Sequence, residues 1–132
     1  AGAKRLIVHL ETVKNEDAIL ELARAYEAHV MLAIAPETPV ESLRLYFEKF
    51  TEFQILAVTP GLAGQHFLSA ALAKIRFLRE LYPRATIEVD GGINLETAKE
   101  AKEAGAHILV AASYIFGSEN PAGAYNTLAS IE

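Results

Sequence analysis

The sequence contains no cysteine, which excludes a disulfide framework and any thiolate-held metal. It also has no cluster of lysine and arginine. Its 12 basic residues are outnumbered by 17 acidic ones, for a net charge of −5. Nucleic acid or an acidic membrane surface is therefore not an expected partner. No apolar run reaches the roughly 18 residues of a membrane span, and no signal-peptide pattern is present. There is no low-complexity tract, charge block or internal linker, so one domain over residues 1–132 is expected. These absences suit a cytoplasmic protein. Ala1, not Met, stands first, as expected of a processed chain or a piece of a longer one. What the chain does have is apolar residues, 52% against 22% charged, enough for a packed core.

Short apolar runs alternate with amphipathic stretches. The runs at 6–11, 30–35, 53–58, 85–90 and 107–112 are expected strands. The stretches at 16–28, 39–49, 70–82, 95–104 and 121–131 are expected helices. Five βα units in a row predict an α/β fold with a parallel sheet and helices packed on it. Thr38-Pro39-Val40-Glu41 reads as a capping box with proline at the first helical position. Asn94 and Asn120 read as N-caps, and Gly105 as a helix C-terminal glycine. His29 is expected at a helix end, His107 at a strand start, and the helix lysines on the surface.

The candidate chemistry centres on Asp90. It closes the fourth apolar run and is followed at once by Gly91-Gly92-Ile93-Asn94. In β/α barrels the active site lies at the carboxyl ends of the strands. Glycines let backbone N–H groups approach an anion, and a following helix N-terminus favours negative charge. The same residues also suit an Asp that only closes a turn. Alternate side chains of a strand share a face, so Glu88 joins Asp90, and His9 joins Glu11. Polar pairs near two carboxyl ends suggest a wet, functional mouth. For His9 and Glu11 the rival reading is an internal hydrogen bond that only orders the core. The loop after the third run carries Gly61, Leu62, Ala63 and Gly64, whose backbone could cradle phosphate, though glycines are ordinary in such a loop. Ala112-Ser113 follows the last run. Barrels often bind phosphate at their last loops, which would put Gly91, Gly92, Ala112 and Ser113 around one anion. No His-x-His, His-Glu-x-x-His or Asp-x-Asp motif completes a metal site within the chain.

Five segments occur in order: His9-Leu10-Glu11, Ala35-Pro36-Glu37-Thr38-Pro39, Pro60-Gly61-Leu62-Ala63-Gly64-Gln65-His66-Phe67, Glu88-Val89-Asp90-Gly91-Gly92-Ile93 and Val110-Ala111-Ala112-Ser113-Tyr114-Ile115-Phe116. With them the chain resembles the C-terminal part of the ribulose-phosphate 3-epimerase family along essentially its whole length. The resemblance implies a partial (β/α)8 TIM barrel, strands four to eight. Length alone favours an open five-strand sheet of flavodoxin type, and the motifs favour the barrel. The resemblance further implies interconversion of D-ribulose 5-phosphate and D-xylulose 5-phosphate in the pentose phosphate pathway, by metal-assisted proton removal and return at C3. Asp90 would be one of two acid/base aspartates and a ligand of a divalent metal (Zn, Fe, Mn or Co) that this chain is not expected to hold alone. Gly61, Leu62, Ala63, Gly64, Gly91, Gly92, Ala112 and Ser113 would contact the substrate phosphate, with His9, Glu11 and Glu88 in support.

The family's other Asp, its two metal-binding His residues and an early Ser lie on strands one to three, outside this chain. The isolated chain is therefore expected to be inactive, and to be a homo-oligomer or to depend on the missing N-terminal half. Leu56, Thr59, Leu62, Ala63 and Ala112 stand where the family commonly has Met, Asn, Phe, Gly and Gly. The rival reading is a non-catalytic sugar-phosphate-binding module or a degenerate paralogue. Another phosphate-handling barrel, a decarboxylase or aldolase, would call for Asp-x-Lys-x-x-Asp or a Schiff-base lysine at a strand end, and neither is present.

Overall fold

The computed structural model describes residues 2–61 and 64–131. Its strands are β1 (Arg5–His9), β2 (His29–Ile34), β3 (Glu52–Leu56), β4 (Thr86–Asp90) and β5 (Ile108–Val110). Its α-helices are α1 (Glu16–Ala25), α2 (Ala70–Leu81), α3 (Leu95–Ala104), α4 (Ser113–Phe116) and α5 (Pro121–Ala129). All strand pairs are parallel, in the order β1-β2-β3-β4-β5.

That order decides between the two architectures. A doubly wound sheet reverses direction at a switch point. This sheet never does. Right-handed crossovers that always step the same way put their connecting segments on one side. Side-chain burial agrees. Val30, Leu32, Ile34, Phe53, Ile55, Ile87 and Val89 belong to one core with Ile75 and Leu78 of α2 and Ala98 and Ala101 of α3. Each large apolar side chain buried there contributes about 1.5–3 kcal/mol. The opposite face carries His9, Ala33, Gln54, Leu56, Glu88, Asp90 and Val110, aligned across the sheet by register. The result is five consecutive βα units of a β/α barrel, not a flavodoxin-type sheet. Among the described residues, no helix is long and apolar enough to cross a membrane.

Helix ends set by nearby side chains form as expected. The Asn94 side chain accepts from the N–H groups of Glu96 and Thr97, and the Thr97 hydroxyl accepts from Asn94 N–H. Asn120 caps α5 through Gly123 N–H. Gly105 closes α3 with a left-handed φ of 113°.

Three expectations fail for tertiary reasons. The first strand ends at His9, and Leu10–Thr12 forms a 3₁₀ turn, so Glu11 leaves the strand it was assigned to. The helix expected over 39–49 is a 3₁₀ segment, Val40–Tyr46, and Pro39 is its N-cap, without a side-chain cap, not its first residue. The capping box does not form because the Thr38 hydroxyl donates to the Glu11 carboxylate instead, a charged and therefore stronger acceptor. His29 does not end a helix. It opens β2, with Nδ1 3.4 Å from Glu52.

Candidate active site

The carboxyl ends of the strands enclose a cleft of about 330 Å³. Asp90 is the last residue of β4, between Leu56 of β3 and Val110 of β5 in register. Its carbonyl accepts from Ala57 N–H at 2.8 Å, which continues the ladder to the rim. Its side chain is half-buried. Burial beside aliphatic neighbours pushes its carboxyl above the usual carboxylate range.

The next two residues favour glycine for reasons internal to the chain. Gly91 and Gly92 have φ of 113° and 63°. A Cβ on Gly91 would sit 2.4 Å from Val58 Cγ2, and one on Gly92 2.4 Å from the backbone nitrogen of Phe67. The pair seats the loop after β4 directly on the loop after β3. The start of α3 is less open to an anion than its sequence suggests, because Asn94 already occupies the N–H groups of Glu96 and Thr97. An anion here would depend on the glycine backbone and on Ser113 at the head of α4.

The structure brings most of the expected site residues together. His9, Gly61, Gly64, Asp90, Gly91, Gly92, Ala112 and Ser113 all line the cleft. Leu62 and Ala63 lie outside the described residues. Glu88 does share a face with Asp90, but one layer deeper. It is buried, accepts from Gln54 Nε2 at 2.6 Å, and has the Arg5 guanidinium 4.0 Å away. It does not line the cleft, so the expected wet mouth does not extend to it.

Glu11 does not line the cleft either. It accepts from Ala35 N–H at 2.9 Å and from the Thr38 hydroxyl. Partial burial would raise its carboxyl, but these hydrogen bonds, together with the nearby His9, bring it below the usual range. It fastens the loop after β2, and one of its oxygens stays 3.7 Å from His9 Nδ1.

Lys74 is the residue that sequence reasoning misses. It looks like one more surface charge on α2. Yet its ammonium donates to the carbonyls of Ala35 at 3.1 Å, Pro36 at 2.6 Å and Thr38 at 2.6 Å. Burial lowers its pKa, against the opposing pull of Glu37, Glu11 and Glu41. Its partners lie 36 to 39 residues away, and no local pattern announces them.

The described residues bring together no group of three or more His, Asp or Glu side chains able to hold a metal ion. The donors present do not by themselves fit a metal centre around Asp90.

A sequence model of the Ribulose-phosphate 3 epimerase family matches residues 1–116. Over 126 residues the chain is 39% identical to the ribulose-phosphate 3-epimerase of Chlamydia muridarum, covering 91% of this chain and 55% of that protein. It is 36% identical over 121 residues to that of Schizosaccharomyces pombe, covering 92% and 53%. The chain thus spans about half the length of these curated relatives. Among solved structures, 3-hexulose-6-phosphate synthase from Salmonella typhimurium superposes with a TM-score of 0.80 at 19% identity, covering 98% of this chain and 62% of that one. KGPDC from Streptococcus mutans, in complex with D-R5P, superposes with a TM-score of 0.74 at 17% identity, covering 98% and 63%. At such identities the likeness concerns the fold alone. The family match runs from β1 through α4, on a sheet of the barrel type, and the chain belongs to the ribulose-phosphate 3-epimerase family.

Proposed function

We propose that the cleft takes the pair D-ribulose 5-phosphate and D-xylulose 5-phosphate, with Asp90 as acid/base at C3. Gly91, Gly92 and Ser113, with the Gly61 and Gly64 loop beside them, are its phosphate end. The single observation that carries this reading is the place of Asp90: a half-buried carboxylate with a raised pKa, inside a cleft rimmed by glycines and a serine. The setting we propose is the pentose phosphate pathway of the cytoplasm.

The chemistry follows from the substrate. The hydrogen on C3 is acidic because C2 is a carbonyl. A carboxylate that removes it sends the electron pair onto the C2 oxygen and leaves an enediolate. Return of a proton from the opposite face gives the C3 epimer. A positioned acid/base of this kind contributes roughly 10²–10⁴ in rate, and most when its pKa is drawn toward the working pH. Burial moves Asp90 in that direction.

Asp90 is the one carboxylate among the described lining residues. It serves one face of the sugar only, so net epimerisation by this chain alone is not expected. The same observation favours a second reading, a module that binds the sugar phosphate without chemistry. Incubation with D-ribulose 5-phosphate in D2O separates the two. A base on one face can remove and return the C3 hydrogen with retention. The acid/base reading expects deuterium at C3, abolished in Asp90→Asn. Binding without exchange above the Asp90→Asn level supports the binding module. No binding at all overturns both, and rapid metal-dependent inversion by the chain alone overturns the one-face account.

A further inference from the structure

We propose that His9 is a substrate-contacting residue of this cleft, binding the C1–C2 end of the ketose phosphate, and that Glu11 positions it. The inference rests on the sugar-phosphate reading above and adds the determinant for the end of the sugar away from phosphate.

The order of elements along the concave face carries the first part. His9 ends β1, Asp90 ends β4, and Ser113 follows β5, and all three line one cleft. In sheet order Asp90 therefore stands between His9 and Ser113. Three strand spacings separate β1 from β4, about 14 Å along a flat sheet, and less across a curled one. A five-carbon phosphate laid from Ser113 with C3 over Asp90 points C2 and C1 toward β1. The neighbour of His9 in register on β2 is Ala33, a small side chain, and Leu56 of β3 lines the cleft between His9 and Asp90 in sheet order. His9 is the only ionisable side chain besides Asp90 among the described lining residues.

The surroundings of His9 carry the second part. The imidazole is half-buried at the rim, not sealed in the core. Its Nδ1 lies 3.7 Å from Glu11 Oε2, too far for a hydrogen bond but close enough for electrostatic attraction. Glu11 is not free to turn away. Its other oxygen is bonded to Ala35 N–H and the Thr38 hydroxyl, and Lys74 grips the carbonyls of the same loop. A fixed anion facing Nδ1 favours the proton there and leaves Nε2 for the cleft. Such an edge accepts from a sugar hydroxyl when neutral, and donates to the C2 oxygen when protonated.

Calorimetric titration of the full chain with D-ribulose 5-phosphate, and separately with inorganic phosphate, tests this. His9→Ala is expected to weaken the sugar phosphate about tenfold and to leave inorganic phosphate within about twofold. His9→Gln, which keeps a polar end, should restore part of the loss. Glu11→Gln keeps the loop's acceptor but removes the charge. It should weaken the sugar phosphate by a smaller factor and move the His9 imidazole nitrogen resonances. Unchanged sugar-phosphate affinity in His9→Ala overturns the proposal, and so does an equal loss for both ligands, which would mark a deformed cleft. A native chain that binds both ligands equally well overturns the His9 contact alone. A native chain that binds neither removes the sugar-phosphate reading and His9 with it.

Discussion

Gly92 and Gly64 both have left-handed backbones, with φ of 63° and 79°, yet alanine should cost much more at one than at the other. A Cβ in that conformation costs about 1–2 kcal/mol at either site. The entropy gained from a stiffer unfolded chain is also shared. The surroundings differ. A Cβ at Gly64 meets nothing within 4 Å among the described residues, whereas at Gly92 it lies 2.4 Å from the nitrogen and 2.7 Å from the Cα of Phe67. These are backbone atoms, so relief requires moving the loop after β3, not rotating a side chain. Overpacking of this kind costs about 1–3 kcal/mol. Once the shared entropy gain is taken off both, Gly64→Ala should therefore destabilise by about 1 kcal/mol and Gly92→Ala by about 1–4 kcal/mol. A domain of this size holds about 5–15 kcal/mol in total, so both variants should remain folded. Urea unfolding followed by circular dichroism gives the two midpoints at comparable slopes. Equal losses for the two variants would refute the claim that Gly92 is required by loop packing.

Further predictions concern the clamp, the carboxylate and the sheet edges. Lys74→Met keeps the aliphatic stem but withdraws a donor from three carbonyls. It should cost about 1–3 kcal/mol in urea unfolding and speed amide exchange at Thr38, and a loss under about 0.5 kcal/mol counts against the clamp. Burial raises the Asp90 pKa above its ordinary 3.8, so the folded state binds that proton more tightly than the unfolded chain does. Its contribution to stability therefore falls as pH rises from there through the raised value. Asp90→Asn should melt higher than the native chain at about pH 7 and lose that advantage at about pH 3. A lower melting temperature at neutral pH would contradict the burial argument. β1 and β5 stand at the ends of the sheet order, and Leu6, Ile7, Leu22 and Tyr26 are exposed beside β1. We propose that these edges drive self-association or pairing with a completing chain. Sedimentation should show concentration-dependent species, and a monomer throughout would contradict it.

What could be read in the sequence was local. Five apolar runs mark the five strands because β2, β3 and β4 bury one face under helices, and β1 and β5 pack Val8 and Leu109 against the same core. Asn94, Asn120 and Gly105 announce helix ends because each acts on backbone groups within a few residues. What stayed hidden depends on distant partners. The Thr38 hydroxyl has a choice between the start of its own helix and the Glu11 carboxylate 27 residues earlier, and nothing nearby shows the second. Lys74 has the composition of a surface lysine and the contacts of a loop clamp. Glu88 shares the Asp90 face by periodicity, but depth along the strand, which periodicity does not encode, separates a buried partner of Gln54 from a cleft residue. The glycines after Asp90 suggest room for an anion. In the fold they first of all let the loop sit against Val58 and Phe67 without displacing either. Strand order, which separates a barrel from an open sheet, left no mark in periodicity and came only with the family resemblance.

The most direct test of the site is a titration of isotope-labelled chain with D-ribulose 5-phosphate, followed by the amide resonances. The account predicts saturable shifts at Gly91, Gly92 and Ser113, with Asp90 and His9 following and the Arg79–His107 end of the sheet unmoved. No saturable shift, or shifts gathered around Arg79 and His107, would contradict it.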